Sequence, residues 1–213
     1  MKTPFLISLK SRLPLVYSIQ FFLCLPILHA EEWKPDEGFK SLFNGKDLTG
    51  WSYREKTPRK SPKIGKVIED FNGKVQSDKL ARYSVKDGVI KVNFPKEADK
   101  ITGKMYTIEE FSSDFILKLE FRAESNADSG IFLRRPQLQC RDYLIAGPYT
   151  ELKNYKPQEW NKVTVVVKGG VAHCTCNGEV LEDALKLPAT GPIGLEGDRG
   201  LMEYRNIQIK VIK

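Results

Sequence analysis

From Ala81 onward the chain is written in short alternating runs. In "DFILKLEFR", Phe115, Leu117, Leu119 and Phe121 point one way and Ile116, Lys118, Glu120 and Arg122 the other, the period of a half-buried strand. "YSVKDGVIKV" reads as a hairpin turning at Asp87-Gly88, because that dipeptide tolerates the positive φ of a two-residue turn. "SGIFLR" follows, then "PQLQCRDY", which sets Leu138 and Cys140 against Gln137, Gln139 and Arg141. "WNKVTVVVKGG" and "VAHCTCNGEVL" form another pair, with a tight Asn177-Gly178 turn in the second, and "GPIGLEG" and "MEYRNIQIKVI" close the chain. No long amphipathic helix is visible; "TIEEF" suits a turn or so of helix. Many short strands between turn signals predict an all-β fold, an antiparallel β-sandwich of two sheets.

In such a sandwich one face of each sheet fills the core and the other meets water. Glu120, Arg134, Gln137 and Gln139 fall on the polar register, and His173 and Thr175 extend it. If their strands are neighbours in a curved sheet, these residues line one polar trough. Alternation alone is equally satisfied by an ordinary solvated sheet face.

Composition changes the picture at the N-terminus. Lys2, Lys10 and Arg12 precede the apolar run "LPLVYSIQFFLCLPILHA", the pattern of a secretory signal peptide cleaved near Ala30-Glu31. The expected division is therefore a signal peptide over 1–30 and one domain over 31–213, secreted or periplasmic. No stable membrane insertion is expected after cleavage, since no later segment is apolar enough to span a bilayer. The signal carries three basic residues and no acidic ones, so the formal charge of +7 falls to +4. Much of the remaining excess lies in "SYREKTPRKSPKIGK", which reads as a solvated loop. No nucleic-acid partner is expected, because no recognised binding motif accompanies it.

Export permits disulfides. Cys140, Cys174 and Cys176 remain after cleavage, and Cys174 and Cys176 share one strand face. They are either buried thiols or, for one pair, a bridge from Cys140 to Cys174 or Cys176. With His173 the one histidine left in the mature chain, a zinc site is poorly supported.

The segment "GFKSLFNGKDLTGW", residues 38–51, joins Phe39, Phe43 and Trp51 to an Asn44-Gly45 turn. It resembles the N-terminal signature of the 3-keto-disaccharide hydrolase domain family. The likeness continues in order through "YSVKDGVIKV", "MYTIEEFSSDFILKLEFR", "NADSGIFLRR", "EWNKVTVVVKGG", "CNGEVL" and "GPIGLEGDRGLMEYRNIQIK", across essentially the whole mature chain. The resemblance implies a concanavalin A-like jelly roll and a substrate sugar oxidised to a ketone at C3. Such a ketone acidifies the C2 proton, and a C2 carbanion can expel the group on C1; water then adds at C1. The site needs a base, a stabiliser for the enolate and an acid for the leaving group, unlike the paired-carboxylate route of ordinary glycosidases.

The resemblance makes Glu120 and Glu196 candidate acids or bases and Arg134 a candidate clamp for the enolate or a hydroxyl. Gln137, Gln139, Arg141 and His173 are candidate binders of a di- or oligosaccharide. Many members carry an acidic residue where Gln137 stands, and Gln binds a hydroxyl but takes no proton. The alternative function is therefore a non-catalytic carbohydrate-binding or surface-interaction module. No cofactor and no metal are implied; Asp128, Asp142, Glu196 and Asp198 supply oxygen atoms that would suit calcium, but without a dense acidic loop.

Overall fold

A computed structural model describes residues 33–58, 61, 63–93, 104–142 and 148–212. The expected signal peptide and its cleavage point lie outside these residues. Two antiparallel sheets hold fourteen strands among the described residues. In chain order these are β1 (Lys40–Ser41), β2 (Trp51–Arg54), β3 (Val67–Asp70), β4 (Tyr83–Lys86), β5 (Val89–Val92), β6 (Lys104–Glu110) and β7 (Phe115–Ala123). They continue as β8 (Asp128–Leu133), β9 (Gln137–Arg141), β10 (Asn161–Lys168), β11 (Val171–Cys176), β12 (Glu179–Lys186), β13 (Pro192–Glu196) and β14 (Met202–Val211). One sheet runs β12-β11-β10-β7-β14-β5-β4, with β1 also paired to β14; the other runs β3-β2-β6-β13-β8-β9. The all-β two-sheet sandwich expected from the alternation is the architecture observed.

Period-2 patterning builds the core directly. Along β7, Phe115, Leu117, Leu119, Phe121 and Ala123 are buried while the residues between them are half-exposed. The predicted hairpins close where Asp87 and Gly88, and Asn177 and Gly178, all take positive φ, so both turns have the twist that suits a two-residue connection. "TIEE" belongs to the end of strand β6 rather than to a helical turn: pairing with β2 and β13 outweighs its weak local preference.

The 38–51 segment wraps one end of the core. Lys40 and Ser41 pair with Ile209 and Gln208. The Asn44 side chain accepts the backbone N–H groups of Lys46 and Asp47 at 2.8 and 2.9 Å. Phe43, Leu48 and Trp51 are buried, and the Trp51 indole donates to Leu42 O at 2.8 Å. Phe39 stays half-exposed, with the Lys118 ammonium 4.5 Å from its ring centre.

Buried tyrosines tie the two sheets together. Tyr83 on β4 donates its hydroxyl across the core to Leu195 O on β13 at 2.9 Å, so the ring is buried without an unmet polar group. Cys140, Cys174 and Cys176 are all buried and unbridged, which is the free-thiol alternative.

Candidate functional site

The expected trough divides between the two sheets. Glu120 on β7 and His173 and Thr175 on β11 belong to the eight-stranded sheet, whereas Gln137, Gln139 and Arg141 on β9 and Glu196 on β13 belong to the six-stranded one. Alternation sorts side chains into inward and outward but carries no label for the sheet; this strand order sends β7 and β9 to opposite sides of the sandwich. Arg134 is not on an outer face at all. It follows the end of β8 at φ 60°, 2% exposed, with its guanidinium donating to Pro188 O at 2.9 Å and Ser113 O at 2.6 Å.

Glu120 sits in a ladder of charges. Arg205 Nε donates to it at 2.7 Å, and the Arg205 guanidinium lies 4.0 Å from the ring centre of Trp160. His173 Nδ1 is 2.7 Å from Asp183 Oδ1 on the neighbouring strand β12. Neither residue shares a face with Glu196.

The outer face of the six-stranded sheet is organised as three rows running across the strands. In the first, Tyr106, Gly194, Phe132 and Gln137 are successive register partners on β6, β13, β8 and β9. The second holds Lys104 opposite Glu196; the same register carried one step further sets Glu196 beside Gly130, whose partner is Gln139. The third holds Asp128 between its register partner Arg141 and the bridge residue Arg199. The alternate positions Met105, Leu195, Ile131 and Leu138 are all buried in the core, which fixes the three rows as outward.

Two glycines shape this face. A Cβ on Gly130 would fall 2.4 Å from Gln137 Nε2, and one on Gly194 would fall 2.5 Å from the Tyr106 ring. Their absence lets Gln137 lean across Gly130 to donate to Glu196 Oε2, and lets Tyr106 lie over Gly194 against Phe132, the rings meeting edge to face at 6.1 Å. Lys104 Nζ stands 3.4 Å from Glu196 Oε1 and 4.1 Å from the Phe132 ring centre. Asp128 is flanked by Arg141 Nε and Arg199 Nη2, each at 3.4 Å.

Glu196 is the chemically distinctive member. Its side chain is 14% exposed, and burial pushes its carboxyl above the ordinary value; the Lys104 ammonium pulls it back, while Asp198 and Asp128 push it further up. A carboxylate held by a donor, faced by a cation and raised toward neutrality can exchange a proton with a bound molecule. Gln139 adds an unmet acceptor: its Oε1 is buried with no hydrogen-bond partner among the described residues. Of the oxygen groups considered for calcium, Asp142 accepts from the Tyr155 hydroxyl at 2.8 Å and from Gln158, and Asp128 faces its two arginines. No group of three or more His, Cys, Asp or Glu among the described residues could hold a metal ion.

Of the residues expected from the sequence, the structure thus gathers Glu196, Gln137, Gln139 and Arg141. It adds Lys104, Tyr106, Phe132 and the two glycines. The glycines carried a readable signal, since an isolated Gly inside a strand marks a close approach. Lys104 carried none.

Comparison with known proteins follows this geometry. The model of a family described as the 3-keto-alpha-glucoside-1,2-lyase-like domain matches residues 38–210. No curated protein matches the chain in sequence. Two crystal structures from Parabacteroides distasonis ATCC 8503, each named "putative glycosyl hydrolase", share the fold. One is 18% identical with a TM-score of 0.60, covering 83% of this chain and 95% of its own. The other is 21% identical with a TM-score of 0.55, covering 82% and 99%.

Proposed function

The chain belongs to the 3-keto-alpha-glucoside-1,2-lyase-like domain family, and on that premise we propose that it cleaves 3-keto-glycosides or 3-keto-disaccharides at the outer face of the six-stranded sheet. The observation that carries this reading is Glu196: a largely buried carboxyl with a raised proton affinity, 3.4 Å from a single ammonium.

In the proposed reaction Glu196, ionised, takes the C2 proton of the sugar. The C2–H electron pair passes onto the C3 carbonyl oxygen as an enolate, which the Lys104 ammonium stabilises. The enolate collapses, a C1–C2 double bond forms and the C1–O bond breaks; Glu196 hands its proton to the departing oxygen. Addition of water across the new double bond completes a net hydrolysis. Gln137 holds the Glu196 carboxylate in place, and Gln139, Arg141 and Asp128 offer acceptors and donors to sugar hydroxyls. Glu120, Arg134 and His173 take no part, because none of them shares the Glu196 face.

The test is release of aglycone from a chromogenic 3-keto-glucoside by pure protein, with the parent glucoside as control. Release from the keto sugar alone, lost in Glu196→Gln, is the expected result; no release from either overturns the reading. One observation favours a second reading, a carbohydrate-binding module: the group beside Glu196 is the Gln137 amide, which cannot share proton transfer. Binding of the keto sugar by wild type without turnover would select that module. We propose also that residues 1–30 direct export; a mature N-terminus at Glu31 in mass spectra of protein from an exporting host is the expected result. Among the described residues no helix is long and apolar enough to cross a membrane.

A further inference from the structure

Glu196 is the last residue of β13, and the register of that strand with β8 ends one residue earlier, at Leu195 opposite Ile131. Its carbonyl lies beyond this ladder and needs another donor. Two buried side chains supply one in series. The Ser129 hydroxyl on β8 donates to Glu196 O, and the Tyr204 hydroxyl on β14 donates to Ser129 Oγ at 3.5 Å. A hydroxyl has a single proton, so accepting from Tyr204 leaves that of Ser129 aimed at Glu196. Ser129 is 1% exposed and Tyr204 fully buried. Ser129 shares the inward face of β8 with Ile131 and Leu133, where alternation calls for an aliphatic side chain. A hydroxyl there costs folding energy unless it is bonded, and its bond is to the backbone of Glu196.

The neighbouring carbonyls are held from the same side. Tyr83 donates to Leu195 O at 2.9 Å, and the buried Arg82 reaches Gly197 O at 3.5 Å. Gly197 lies against β5, where a Cβ would fall 2.4 Å from Val92 Cγ1. The backbone of 195–197 is thus drawn toward the eight-stranded sheet. The Glu196 side chain leaves on the opposite face, against Gln137 and 3.4 Å from Lys104, so the depth of the backbone sets the depth of the carboxyl. Leu195 has register partners on both sides, Met105 and Ile131, and stays in place without Tyr83. Glu196 is paired with Lys104 on β6, but the β8 register stops before it. Its position depends on Ser129.

We propose, resting on the reading of Glu196 given above, that Ser129 is a positioning residue for this base: from the core side its hydroxyl fixes the Glu196 backbone and so holds the carboxyl against Gln137 and Lys104. Without that hydroxyl the Glu196 carbonyl turns toward water, and the side chain moves outward with it. The charges facing the carboxyl are Lys104 on β6, Asp128 on β8 and Asp198 two residues on. The Tyr83 and Tyr204 phenols behind it stay neutral, burial pushing both well above their ordinary value. Burial is also the largest influence on Glu196, so an outward move carries its carboxyl back down toward 4.5.

Carbon NMR titration of protein labelled at its glutamate carboxyls reads this without substrate, the Glu196 signal being assigned by its loss in Glu196→Gln. In Ser129→Ala the Glu196 midpoint should fall toward 4.5, and the acid limb of kcat/KM on a 3-keto-glucoside should fall with it. kcat should drop by about tenfold to a hundredfold with KM little changed, because the residues offered to the sugar hydroxyls are untouched. Ser129→Thr, which keeps the hydroxyl, should restore the midpoint and kcat. Ser129→Cys retains a weaker donor, should shift the midpoint the same way, and serves if the alanine variant fails to fold. Tyr83→Phe should lower the melting temperature and leave midpoint and limb at their wild-type positions. A midpoint unmoved or raised in Ser129→Ala, with the melting temperature alone reduced, would overturn the proposal; so would an equal shift in Tyr83→Phe. If wild type cleaves no keto sugar, the catalytic reading fails and the NMR midpoint decides alone: a fall in Ser129→Ala supports the positioning role, and no fall overturns it.

Discussion

Glu196 and Glu120 look alike in the sequence, each an outward residue beside buried neighbours, and the structure gives them opposite predictions. Glu196→Gln should cut turnover of a 3-keto-glucoside by roughly a hundredfold or more, the usual cost of losing a general acid–base. Its effect on stability has a definite sign. Burial raises the folded-state carboxyl above its ordinary value of 4.5, so the unfolded chain ionises first as pH rises. The protonated group's contribution is fully present below the unfolded value and lost as pH climbs through the folded one. Glu196→Gln should therefore melt no lower than wild type at neutral pH, with any advantage vanishing in acid. The acid limb of kcat/KM should lie above pH 4.5 for the same reason; a limb below it would remove Glu196 from the role of base. Glu120→Gln loses a partly exposed pair with Arg205, worth about 0–1 kcal/mol, and should leave turnover unchanged. Gln137→Glu sets a second carboxyl on Glu196, so like-charge repulsion should move the acid limb of any activity upward; an unmoved limb would show that the two side chains do not meet in solution.

At the scale of strands and turns, local patterning was a faithful guide to what each element is and a poor guide to where it sits. The β7 alternation, the Asp87-Gly88 and Asn177-Gly178 hairpins and the buried face of Cys174 and Cys176 were all readable, because each depends on neighbours a few residues away. Arg134 was misread for the complementary reason. It follows "SGIFL" as though the strand continued, but the chain leaves β8 there at positive φ, and the guanidinium turns inward to carbonyls 21 and 54 positions away. Those distant acceptors leave no mark on the local pattern. The consequence is a reversal of the expected mutational effect: Arg134→Met should destabilise by about 1–3 kcal/mol, since two carbonyls lose their charged donor, and should do so on substrate-free protein in a denaturant titration. A variant as stable as wild type would show those contacts to be dispensable. Gly130→Ala should act differently: its Cβ would fall 2.4 Å from Gln137 Nε2, displacing that side chain and loosening its hold on Glu196. Turnover should fall while the cooperative melt survives.

Over the whole molecule, the division of candidate residues between two sheets is the step that sequence periodicity could not supply, because strand order in a jelly roll is set by pairings such as β14 with β7 across most of their length. The same division turns the three thiols into a probe of how the sandwich opens. Cys140 lies on β9 of the six-stranded sheet, and Cys174 and Cys176 lie on β11 of the eight-stranded one. All three are fully buried, and burial pushes the Cys174 and Cys176 thiols up to about 12 and Cys140 higher still, so little thiolate exists to react in the folded state. Tyr83 and the shared core couple the sheets, which predicts that neither opens alone. Alkylation at neutral pH should then be slow at all three positions, with rates that rise together as denaturant is added and share one slope. Peptide mapping of partly labelled protein would measure it. Labelling of Cys140 well ahead of the other two would mean that β9 opens locally, and would break the single cooperative unit that the packing requires.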